Sequence, residues 1–134
     1  MKKRKLLTLV SCILIVVLAV SAASAAISPR YTYIKLTYTE LTINQSGLSN
    51  CYSITETSTS THTLSVNVEL QKRSGSGSWQ YVKDWDTSGS LFAELDKSWY
   101  VLSGYEYRAK TTIEVYSGST RVETVTEYSN TVKY

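Results

Sequence analysis

Leu64-Ser65-Val66-Asn67-Val68-Glu69-Leu70-Gln71 sets an aliphatic side chain at every second position and a polar one between each pair. A pleated strand points successive side chains to opposite faces, so this stretch offers one face to a core and one to water. Tyr105, Tyr107, Ala109, Thr111, Ile113 and Val115 repeat the pattern against Glu106, Arg108, Lys110, Thr112 and Glu114. Strands wet on one face and buried on the other belong to antiparallel sheets. No window after Ile27 carries the helical period of about 3.6 residues.

Turn chemistry divides the chain on either side of these segments. Asn44-Gln45-Ser46-Gly47 separates a strand at Tyr31–Ile43 from one at Leu48–Thr57. Ser74-Gly75-Ser76-Gly77-Ser78 is a hairpin loop between Leu64–Arg73 and Trp79–Trp85. Ser88-Gly89-Ser90 precedes a strand at Leu91–Leu95, which Lys97–Val101 extends past a kink. Ser103-Gly104 turns into Tyr105–Tyr116, and Ser117-Gly118-Ser119 turns into Thr120–Tyr128. Seven short strands with Gly/Ser turns at this spacing predict an all-β antiparallel sandwich. Thr57–Thr61 and Ser74–Ser78 are its expected flexible loops.

The N-terminus reads as an export signal. Met1-Lys2-Lys3-Arg4-Lys5 is a positive start, Leu6 to Val20 is apolar apart from Thr8 and Ser11, and Ala23-Ser24-Ala25 is a small-residue cleavage site. The expectation is a helical signal peptide at residues 1–25 and a single sandwich domain at 26–134. Two other readings of the leader are an uncleaved membrane anchor over Leu6–Ala26 and a lipid attached at Cys12. Secretion is the expected localisation, with membrane contact only through the signal peptide before its removal.

Subtracting the leader changes the charge. The full chain carries a net +3, but from Ala26 onward ten cations face eleven carboxylates, a net of −1. Lys72-Arg73 is the one adjacent cationic pair in that part, so a nucleic-acid surface, which needs clustered cations, is not expected. One cysteine, Cys51, follows the leader, and a lone cysteine makes no internal disulfide. The domain must stand on its core.

Cys51 on the second strand and Tyr107-Arg108-Ala109 on the sixth carry a resemblance. Immunoglobulin-type domains place a cysteine on each of these strands and a tyrosine two residues before the second. The chain resembles an immunoglobulin-like or fibronectin-III-like sandwich, with Ala109 where the partner cysteine would be. The resemblance implies that packing replaces the bridge and that the Tyr107 hydroxyl reaches a backbone group upstream. The chain also resembles a group of small secreted proteins of Gram-positive gut bacteria. That likeness is carried by Gly47, Cys51, Leu70-Gln71-Lys72, Trp79, Val82, Trp85, Gly104-Tyr105-Glu106-Tyr107-Arg108 and the Glu123, Thr126, Ser129, Tyr134 series. It implies fold and export, and it supplies no reaction.

No catalytic, cofactor or metal constellation is expected. A Cys51–His62 nucleophile pair would need neighbouring strands to bring them together, and one His with one Cys falls short of a zinc site. Asp84-Trp85-Asp86 and Glu94-Leu95-Asp96 lack the spacing of a calcium loop. The aromatics carry the functional ambiguity. Trp79 and Trp85 share a face if no bulge intervenes, and with Trp99 and eleven tyrosines they are the candidate ligand-binding rings. The expected function is a secreted, non-enzymatic binding module for a protein or glycan at the cell surface or in the medium. The alternatives are a carbohydrate-binding module using exposed Trp and Tyr, and an antibacterial or toxin-like protein.

Overall fold

Eight strands run through residues 31–134, the part of the chain that the computed structural model describes. The leader readings, including the cut after Ala25 and a lipid at Cys12, lie outside the described residues. The strands are β1 (Ile34–Ile43), β2 (Leu48–Thr57), β3 (His62–Arg73), β4 (Gln80–Gly89), β5 (Phe92–Tyr100), β6 (Glu106–Ser117), β7 (Thr120–Tyr128) and β8 (Val132–Lys133). They form two antiparallel sheets. One has the order β1-β2-β5; the other has the order β4-β3-β6-β7, with β8 pairing β6 where β7 has ended.

Alternation located β3 and β6 well because each buries one face. Leu64, Val66, Val68 and Leu70 of β3 lie directly opposite Val115, Ile113, Thr111 and Ala109 of β6, and all eight are buried. Fully burying an aliphatic side chain stabilises the fold by roughly 1.5–3 kcal/mol. Leu41, Cys51, Ala93, Leu95 and Tyr107 complete the core between the sheets.

The structure departs from the sequence reading in four places. β4 starts at Gln80 rather than Trp79 and runs past Trp85 to Gly89, because Thr87, Ser88 and Gly89 still pair with Val66, Ser65 and Leu64 of β3 where a turn was expected. β5 runs unbroken from Phe92 to Tyr100, because pairing with β2 continues through Asp96 and Lys97 to the end and leaves no kink. β1 starts at Ile34 rather than Tyr31; the preceding backbone N–H groups of Thr32 and Tyr33 donate instead to the Glu123 carboxylate, at 2.8 and 2.9 Å. The eighth strand is two residues long, too short to show any period.

Side chains close both open seams of the sandwich. Between β1 and the β7–β8 side, Tyr31 donates to Glu127 and Asn130 bridges to the Leu41 backbone. Between β4 and β5, the Thr87 hydroxyl donates to the Glu94 carbonyl at 3.1 Å, and the Lys83 ammonium sits 5.1 Å from the Trp99 ring centre. Exposed strand edges invite pairing with other chains, and such contacts cover them. At the β4–β5 turn the backbones approach so closely that a Cβ on Gly89 would lie 1.8 Å from the Phe92 carbonyl oxygen.

Candidate functional site

β2 is built inside out. Its buried face is Ser49, Cys51, Ser53, Thr55 and Thr57, while Leu48, Tyr52 and Ile54 lie on the solvent side with Asn50 and Glu56. Buried hydroxyls are costly unless bonded. Here the Ser49 hydroxyl donates to the Trp99 carbonyl at 2.6 Å, and the Thr57 hydroxyl donates to the Thr59 carbonyl at 2.7 Å. Thr55 pairs with Thr37 at 3.3 Å, Ser53 with Thr39 at 3.3 Å, and Thr39 reaches across to Thr111 of the other sheet at 2.8 Å. Among the described residues no buried side-chain polar atom lacks a partner. Small side chains thus fill the inner face of β2 at low volume, and the larger apolar side chains of this strand face out.

The register assembles those outward side chains into one patch. Leu36 lies opposite Glu56, which lies opposite Phe92; Tyr38 lies opposite Ile54, which lies opposite Glu94; Glu40 lies opposite Tyr52, which lies opposite Asp96. Leu36, Tyr38 and Phe92 are 48%, 49% and 56% exposed. The Tyr38 and Tyr52 rings are tilted against each other with centres 6.4 Å apart. Tyr52 donates to Glu94 at 3.0 Å, and that bond chiefly holds its hydroxyl above the usual phenol value. The rows of this face hold Glu40, Glu56, Glu94 and Asp96 and no lysine or arginine. Lys35 reaches in from the β1 bulge to pair with Glu56 at 2.9 Å. The result is an apolar, aromatic surface in an acidic frame.

The three tryptophans do not share a face. The β3–β4 register slips at Leu70/Gln71, so Leu70 faces Lys83 and Gln71 faces Tyr81, with Val82 as the extra residue. Beyond this bulge Trp85 lies opposite buried Val68, and both Val82 and Trp85 pack against the core. Trp79 stays on the outer side of the larger sheet, where the Arg73 and Arg108 guanidiniums approach its ring centre to 4.6 and 4.2 Å. Arg108 also lies 4.1 Å from the Tyr128 ring centre, and its Nε donates to Gln71 at 2.8 Å. Trp99 is on the other sheet, 44% exposed, with Lys83 against it. Each ring is engaged by its own neighbours.

Cys51, Tyr107 and Ala109 all lie in the core. The Tyr107 hydroxyl donates to the Leu102 carbonyl, five residues upstream, at 2.5 Å. Burial pushes the Cys51 thiol up to about 12, which is the reverse of what a nucleophile needs. β2 and β3 belong to different sheets, so the Cys51–His62 pairing by adjacent strands does not form. His62 Nδ1 instead lies 2.8 Å from the Thr59 hydroxyl, and its ring tilts against Tyr33. Asp84 and Asp86 share the Asn67 amide at 3.0 and 2.9 Å, and Tyr81 donates to Asp84 at 2.8 Å. Those bonds, from Tyr81 first and then Asn67, hold Asp84 below the usual carboxylate range. Among the described residues no group of three or more His, Cys, Asp or Glu is arranged to hold a metal ion.

Sequence reasoning centred on tryptophan and passed over the Leu36, Tyr38, Ile54, Phe92 patch. The signal was present: placing Cys51 inward fixes the phase of β2 and turns Tyr52 and Ile54 outward. No protein-family model, curated protein or solved structure matches the chain.

Proposed function

We propose that this chain is a secreted, non-enzymatic, immunoglobulin-like or fibronectin-III-like module, akin to small exported proteins of Gram-positive gut bacteria. In this reading it binds a protein partner on the outer face of its three-stranded sheet. The fold assignment draws support from three strands (β1, β2, β5) packed against the β4-β3-β6-β7 sheet. The Tyr107–Leu102 hydrogen bond, in the place of a tyrosine corner, supports it further.

The observation that carries the binding role is the inverted polarity of β2. A free-standing sheet gains by turning its larger apolar side chains inward; this one leaves Leu36, Tyr38 and Phe92 open around Ile54. Contiguous exposed apolar patches on soluble domains mark interaction surfaces. The acidic frame favours a partner that presents apolar side chains flanked by lysine or arginine, and it would steer that encounter. A sugar-stacking platform draws less support, because Trp79 already has guanidiniums against its ring and Trp85 packs on the core.

The test is affinity capture from the native surroundings with the exported form, run beside Leu36→Asp and Phe92→Asp. Both positions are exposed, so the variants keep the fold. The expected result is a partner retained by the wild type, released by added salt and lost from both variants. Equal retention by all three proteins would overturn the assignment of this face. Retention on a neutral glycan panel, abolished by Trp99→Ala, would favour the carbohydrate reading.

A further inference from the structure

A second, smaller site lies at the far end of the other sheet. A cleft of about 400 Å³ opens between the Ser74–Ser78 loop and the Ser103–Gly104 turn, lined by Arg73, Gly75, Ser76, Gly104, Tyr105, Glu106 and Lys133. That volume is within the range of small-molecule sites, at the lower end.

Its charges are set by register. Arg73 lies opposite Glu106 on β6, and Glu106 lies opposite Lys133 on β8, so one carboxylate sits in a row between two cations. Arg73 Nε donates to Glu106 Oε2 at 2.7 Å, and the Arg73 guanidinium rests 4.6 Å from the Trp79 ring centre. These two contacts hold the guanidinium in place, yet among the described residues neither terminal nitrogen has a hydrogen-bond partner. Lys133 has no ion-pair partner among the described residues. Glu106 therefore neutralises one cation of the row and leaves the other unpaired. Lys72 adds to that field from beside Tyr105, its ammonium 4.6 Å from the ring centre.

The main chain of the Ser103–Gly104 turn does not supply anion contacts. The Gly104 and Tyr105 N–H groups already donate to the Tyr134 carbonyl oxygen, at 2.6 and 3.2 Å. Recognition must come from the Arg73 fork and the Lys133 ammonium, with hydroxyl and peptide groups of Ser76 and Gly75 along the wall. A planar guanidinium held on one side presents its remaining N–H groups as a pair, which matches a carboxylate. The net charge of the row suits a monoanion.

We propose that this cleft binds a small carboxylate-bearing ligand, with Arg73 and Lys133 as its two cationic contacts. The site is independent of the three-stranded sheet, so it stands or falls separately from the protein-binding role.

The test is titration of the isotope-labelled exported form with D-glucuronate, lactate, glucose and inorganic phosphate, following backbone amide resonances. The expected result is saturable displacement of the Gly75, Ser76 and Gly104 signals by a carboxylate, with none from glucose. Glucuronate alone acting identifies an acidic sugar; lactate acting equally identifies the carboxylate as sufficient. Lys133→Gln weakens binding about tenfold, the loss of one charge-assisted bond, while Lys133→Arg retains it. Unchanged spectra outside the cleft show that both variants fold. Absence of saturable shifts with either carboxylate, tighter binding of phosphate, or undiminished affinity in Lys133→Gln would each overturn the proposal.

Discussion

Asn130 gives Leu41 the two hydrogen bonds that a neighbouring strand would give it. Its Nδ2 donates to the Leu41 carbonyl at 2.9 Å, and its Oδ1 accepts from the Leu41 N–H at 3.1 Å. The side chain thereby joins the edge of β1 to the break between β7 and β8. At the same break the Ser129 hydroxyl accepts from the Ala109 N–H at 2.8 Å and donates to the Asn130 carbonyl at 2.7 Å. An amide is the side chain that can donate and accept in this geometry.

Asn130→Ala should therefore cost about 1–3 kcal/mol, since it strips partners from two backbone groups of a core-flanking residue. Asn130→Asp should cost a similar amount at neutral pH, because it keeps the acceptor and sets an anion against the Leu41 carbonyl. Urea denaturation of the three proteins checks both. A midpoint unchanged in Asn130→Ala would show that water replaces the clamp freely.

Tyr107→Phe should destabilise the fold by roughly 1–3 kcal/mol, leaving the Leu102 carbonyl without its donor. The same phenol predicts a pH dependence. Burial raises Tyr107 above its ordinary 10.0. Burial, with the Glu127 hydrogen bond next, pushes Tyr31 up to about 12. A raised folded value means that the fold prefers the neutral phenol. The contribution is complete below the unfolded value and is lost as pH rises through the folded one. Stability should hold to about pH 10 and fall from there towards pH 12. The fall should be shallower in Tyr107→Phe, as followed by thermal unfolding across that range.

Cys51 should resist alkylation in the native protein, because its thiol is buried and its value is pushed up to about 12. Labelling with iodoacetamide at pH 8 should proceed only as fast as the domain opens, and urea should release it. Cys51→Ser should cost more stability than Cys51→Ala, because it introduces a buried hydroxyl among groups whose bonds are already made. Rapid stoichiometric labelling of the folded protein would contradict this placement.

Gly89→Ala should cost about 3 kcal/mol or more, since the methyl would meet the Phe92 carbonyl and force the β4–β5 crossing apart. Gly75 has a positive φ of 53° but open space around a Cβ. Gly75→Ala should therefore cost only the left-handed backbone penalty, roughly 1–2 kcal/mol. The pair of melting temperatures distinguishes a steric requirement for glycine from a conformational one.

Local pattern was enough to find most strands. The alternation of β3 and β6 and the Gly/Ser turns depend on neighbours in the chain, so their reading needed no contacts. The phase of β2 was also legible, once Cys51 was taken as buried. What alternation could not reveal was the bulge at Val82, because a register slip is a property of two strands together. That slip sends Trp85 inward and Trp79 outward, and it dissolves the pairing of the two rings that spacing suggests. The cleft beside Arg73 was illegible for a related reason: Arg73, Glu106 and Lys133 become neighbours only when β6 pairs with both β3 and β8.

The chain by itself determined where most strands lie and where most of them turn, because those follow from residue type and near spacing. Tertiary structure alone decided which strands share a sheet, which apolar side chains are left outside, and which charges meet. Those outcomes rest on pairing across long separations, where one residue of register reverses every face.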